Sequence, residues 1–111
     1  MVEKQKKEKK GPTGAEVLTR LEEAVAFAET LAMPPSDRAA AHRIGEELIP
    51  ALYEARTYLE VSLYDSPEIR LGISRASLVA SDLVDVDPRY GPLHSRLRVL
   101  QEEANIVARQ G

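Results

Sequence analysis

The chain predicts an all-α fold, either an antiparallel four-helix bundle or stacked helical hairpins, with a basic N-terminal arm. Three observations carry this expectation. Four segments repeat apolar residues in steps of three and four, the spacing that lines one face of a helix. The connections between them are short and hold Pro, Ser, Asp and Gly, so sequential helices should run antiparallel. No segment alternates apolar and polar residues well enough to compete as a strand.

The elements follow in order. Residues 1–12 have no apolar period and read as a flexible arm, closed by Gly11-Pro12; residues 13–111 read as one helical domain. "TGAE" offers a capping box, in which Thr13 accepts from the Glu16 amide and Glu16 reaches back to Thr13. The first helix then runs from 14 to about 33, with Val17, Leu21, Ala24, Ala28 and Leu31 as its seam; Leu18, Val25 and Phe27 widen that stripe. "MPPSD" stops it. Ser36 is the expected cap of a second helix from 37 to about 64, whose stripe is Ala41, Ile44, Leu48, Leu52, Ala55 and Leu59. Pro50 lies inside that helix, and its ring and missing N–H should kink or break it near 46–50. "DSPE" starts a third helix, with Ser66 as cap and Pro67 at the first position; Ile69, Ile73, Ala76, Ala80 and Leu83 face inward. "DVDPRYGP" ends it, and a fourth helix follows to about Arg109 on Leu93, Leu97, Leu100, Ala104 and Val107.

The charge is divided unevenly. All five lysines, Lys4, Lys6, Lys7, Lys9 and Lys10, stand in the first ten residues, where Glu3 and Glu8 leave a net +3. The rest of the chain sets ten arginines against sixteen acids, a net −6, which brings the whole to −3. A body that grips nucleic acid is usually basic itself, so an arm offering diffuse charge to phosphates or to an acidic protein surface is the reading that the lysines allow. There is no cysteine, which excludes disulfides, thiolate metal sites and a cysteine nucleophile. No apolar run approaches the ~20 residues of a membrane span, and no apolar stretch follows the N-terminal charges as in a secretory signal. The expectation is a soluble cytoplasmic protein that needs no cofactor.

Candidate chemistry is sparse. His42 and Glu46 share a helix face four residues apart, but a metal would need further ligands from other helices. Asp82, Asp85 and Asp87 lack the glycine and spacing of a calcium loop and read as an acidic face. Tyr53 and Tyr58, with Phe27, supply the aromatic surface expected of a partner-binding face, since tyrosine joins an apolar ring to a polar end. These three and the five lysines are the expected partner-binding residues.

Two resemblances add to this. Residues 76–100, "ASLVASDLVDVDPRYGPLHSRLRVL", resemble the junction between two tetratricopeptide repeats: Ala76 matches the small residue early in a second helix, and Asp87-Pro88, Tyr90 and Leu97 match the turn and the next first helix. The likeness covers about a quarter of the chain; upstream, Pro67 departs from the pattern and no 34-residue period is present. It implies peptide or protein binding in a concave groove. Arg89 and His94, separated by four residues at the start of the last helix, resemble the motif of HEPN ribonucleases. That likeness implies a histidine that moves a proton and an arginine that steadies phosphorane-like charge; Tyr90 stands where that family places a small polar residue. The function expected first is a non-enzymatic helical interaction module, an adaptor or assembly subunit whose partner is another protein or a second copy of the chain. The alternatives are a nucleic-acid accessory protein tethered by its arm and a HEPN-like ribonuclease.

Overall fold

A computed structural model describes residues 11–33 and 37–110. The five lysines therefore lie outside the described residues, as does Ser36. Every regular element among the described residues is helical: α1 Gly14–Ala32, α2 Arg38–Arg43, a π-helical stretch Ile44–Leu48, α3 Ile49–Glu60, α4 Pro67–Val86, a 3-10 turn Pro88–Tyr90 and α5 Gly91–Gln110.

The capping box opens α1 as expected. The Glu16 amide donates to Thr13 Oγ1 at 3.1 Å, and the Thr13 amide donates to Glu16 Oε1 at 2.8 Å. Gly14 is needed here for space. The Tyr64 ring packs against it, and a Cβ at Gly14 would stand 2.2 Å from Tyr64 Cζ. The ring thus pins the start of α1 to the loop before α4.

Asp37, one residue beyond the expected Ser36, caps α2: its carboxylate accepts from the Ala40 amide at 2.9 Å. The rod from 38 to 60 neither breaks nor simply kinks at Pro50. It passes through the π-helical stretch, where the Ile49 amide donates to the Ile44 carbonyl, five residues back. A wider turn just ahead of Pro50 gives the proline ring room where an α-helical turn would set the Glu46 carbonyl against it. The buried row confirms the change of pitch: Ala40, Ile44, Leu48 and Leu52 recur in strict fours. On an α-helix of 3.6 residues per turn that row would drift by about 40° at each step; the π turn holds it on one face. Ala41, expected in the seam, is only half-buried, and Ala40 takes its place.

That rod ends at Glu60, four residues short of expectation. Ser62 takes a left-handed φ of 62°. Its amide donates to Leu59 O at 3.1 Å and the Leu63 amide to Tyr58 O at 3.0 Å, the paired bonds of a Schellman motif. Glycine or asparagine usually marks that position, so serine hid the stop. Ser66 also departs from expectation. Its hydroxyl donates to Glu68 Oε1 at 2.5 Å and makes no bond to the helix amides.

The packing pairs are plain. α1 lies against α3 and α5, and α4 lies against α3 and α5. Partners run in opposite directions: Arg20 meets Glu103 while Phe27 meets Arg96, and Glu54 meets Arg75 while Arg43 meets Asp82. The core holds the expected seams of all four rods, Ala41 and the half-buried Leu31 excepted, and adds Tyr90, only 1% exposed. Small residues bring α3 and α4 together, with Gly72 set against Ala51 and Ala55. Among the described residues no helix is long and apolar enough to cross a membrane.

Candidate functional site

The expected partner-binding residues do not converge. Tyr53 is 42% exposed, with Arg56 over its ring at 5.7 Å. Tyr58, five positions on and so about 140° around the helix, is half-buried against the core. Phe27 packs on the core with its outer face covered by Arg96, 4.8 Å from the ring centroid. The surplus apolar width of α1 is absorbed from within: Val25 joins the core, and Leu18 and Phe27 each pack against it.

Arg89 and His94 are set at one end of the molecule, on the 3-10 turn and the first turn of α5. The Arg89 guanidinium is engaged elsewhere. It pairs with Asp87 at 3.2 Å and lies 5.3 Å from the centroid of the Tyr90 ring. Among the described residues no hydrogen bond joins Arg89 to His94, and no cluster of three or more His, Asp or Glu is placed to hold a metal ion.

The concavity with the most distinct chemistry lies between α1 and α5. It is an open groove of about 510 Å³ lined by Arg20 and Glu23 from α1 and by Pro92, Ser95, Arg96, Val99, Leu100 and Glu103 from α5. Antiparallel packing creates it. The seam residues Leu97, Leu100 and Ala104 turn inward, so the next positions around α5 form a wall facing α1. Val99 is 51% exposed on that wall, and Leu100 closes the floor. An Arg20–Glu103 ion pair of 2.5 Å bridges the groove. The hydrogen bond that Arg20 donates to Glu103 is the first cause raising the pKa of the Arg20 guanidinium above its ordinary value. Only one Glu103 oxygen is used. Its Oε1 is closed off from solvent and meets no donor among the described residues. A carboxylate oxygen hidden without a donor invites one. The arrangement suits a segment that lays an apolar side chain on Val99 and Leu100 and brings a cation to Glu103.

Sequence reasoning missed this groove because Arg20 and Glu103 are 83 residues apart and meet only once α1 and α5 are paired. One signal was present. Val99 is an apolar residue outside the regular seam of the last helix.

A second cluster ties the π-helical stretch to α4. Arg43 donates twice to Glu47, at 2.9 and 3.3 Å, and once to Asp82 of α4 at 3.1 Å. The Arg43 bond holds the Glu47 carboxyl below its ordinary 4.5, and the Ser66 hydroxyl does the same for Glu68. Each carboxyl takes its proton at lower pH when folded than when unfolded. The stability they contribute is therefore present above about pH 4.5 and lost as pH falls through the lowered folded values. Thermal melts should show a midpoint falling below about pH 4.5, with a shallower fall in Arg43→Ala. An unchanged slope in that variant would remove Arg43 as the cause.

Compared with protein-family models, curated proteins and solved structures, the chain matches none.

Proposed function

We propose that this chain is a non-enzymatic protein-interaction module, an adaptor or assembly subunit, built on an antiparallel four-helix bundle and binding through the α1–α5 groove. The observation that carries the reading is the groove's composition: half-exposed Val99 over a Leu100 floor, rimmed by Arg20, Arg96, Glu23 and Glu103. Interfaces favour an apolar centre within a polar rim, with arginine enriched. A groove between two helices accepts a short segment lengthwise. The likeness of residues 76–100 to a tetratricopeptide junction, a peptide-binding architecture, supports the same class.

The test begins with a random peptide library selected against the full chain. Enriched peptides should share an apolar anchor, and their binding should be lost in Val99→Glu while the thermal midpoint stays unchanged. Failure of any peptide to enrich, or binding indifferent to Val99→Glu, would remove the groove as the binding surface. RNA cleavage by the purified protein that disappears in both Arg89→Ala and His94→Ala, with the fold intact, would replace this reading with the ribonuclease.

A further inference from the structure

We propose that the lysine-bearing segment of this chain, residues 1–10, docks on the protein's own α1–α5 groove and sets Lys9 or Lys10 against Glu103 Oε1. The proposal deepens the groove reading by naming what occupies the groove before a partner does.

Four observations point to this occupant. The first is where the segment joins the body. Gly11 lies against α5 so closely that a Cβ there would be 3.2 Å from Ile106 Cγ2 and 3.4 Å from Gln110 Nε2. Ile106 and Gln110 continue the groove wall, for Pro92, Arg96, Val99, Glu103, Ile106 and Gln110 follow one another in steps of four, three, four, three and four. The segment is thus rooted at the foot of the wall it would cover.

The second is the bend. Gly11 has a φ of 76°, a conformation that reverses the chain readily and that other residues rarely adopt.

The third is length. Ten extended residues reach at most ~33–36 Å, while the fourteen steps along α5 from Ile106 to Pro92 rise about 21 Å. The segment covers the groove with slack to spare.

The fourth is charge. Glu103 Oε1 is enclosed without a donor among the described residues, and Glu23 stands on the opposite rim. The groove's two arginines already have partners, Arg20 on Glu103 and Arg96 over Phe27. That oxygen has no accessible surface as it stands, so the Glu103 side chain must turn it outward, where a lysine ammonium brings it three donors. Glu103 is one turn above Ile106, so the lysines nearest the root, Lys9 and Lys10, are those within reach.

A partner that uses the groove must then displace this segment. Its apparent affinity falls by the fraction of molecules in which the groove is open.

The cysteine-free chain allows a clean test. A nitroxide is attached to Lys6→Cys in the full chain, and the loss of amide signal is mapped residue by residue. Signal should be lost at Arg20, Glu23 and residues 95–103 while Leu71 and Leu78 on α4 keep theirs. The loss should shrink between roughly 0.05 and 0.5 M salt, as screened attraction requires. Glu103→Gln should shrink it too, and Glu23→Gln serves as the second variant if the first does not fold. Even broadening over the whole surface, or broadening confined to residues beside Gly11, would overturn the proposal. So would loss seen only when labelled chains act on separate isotope-labelled chains, since the segment would then dock on a second copy. Peptides that bind the groove while the label leaves it untouched would reject this inference and leave the interaction module standing.

Discussion

Leu97→Asp is expected to unfold the protein. Leu97 is fully buried in α5, and aspartate there would lose the apolar contact and place an unpaired charge in the core. Substitutions of that kind exceed about 4 kcal/mol, set against a total stability of about 5–15 kcal/mol for an ordinary domain. Leu21→Asp in α1 is expected to do the same, since Leu21 is equally buried. The control is two residues away. Val99 is 51% exposed, so Val99→Glu should change stability by no more than about 0.5 kcal/mol. Circular dichroism melts separate the cases. A Leu97→Asp protein with a parental midpoint would mean that α5 does not face the core as described.

Gly72 and Gly45 should respond to alanine with opposite signs. A Cβ on Gly72 would stand 2.5 Å from the Ala51 carbonyl oxygen and 3.1 Å from Ala55 Cβ. The first of these is backbone and cannot swing aside, so α3 and α4 must separate. Overpacking of this sort costs about 1–3 kcal/mol, more than the ~1 kcal/mol of helix propensity that alanine returns. Gly72→Ala should destabilise, and Gly72→Val should lose more. Gly45 has nothing within 4 Å of its would-be Cβ, so Gly45→Ala should stabilise by about 0.5–1 kcal/mol. Denaturant midpoints for the three variants decide the matter. A stabilising Gly72→Ala would show that the two helices are not held this close.

Most of the helical architecture could be read from residue order. The steps of three and four marked the inward faces of the first, third and fourth rods, and the Thr13–Glu16 box located the start of α1. What escaped depended on local compromise or on distant pairing. Pro50 announced a disturbance but not its form, because a π turn and a kink answer the same steric clash. The unbroken fours from Ala40 to Leu52 were the available clue. Ser62 gave no warning of a left-handed stop, since its conformation is fixed by the bonds that close the end of α3. The site was less visible. Aromatic residues were the natural candidates for a partner face, yet Phe27 became a wall of the core covered by Arg96. The groove instead uses Arg20, Val99 and Glu103, ordinary surface residues of two helices until packing sets them side by side.

The α1–α5 groove is the surface proposed to bind. The most direct measurement is an amide chemical-shift map of the full chain titrated with a library-selected peptide. The expected result is a continuous band of shifted amides on Arg20, Glu23 and the 92–103 stretch of α5, absent in Val99→Glu. Shifts gathered instead on the exposed Leu71 and Leu78 face of α4, or around Tyr53, would contradict it.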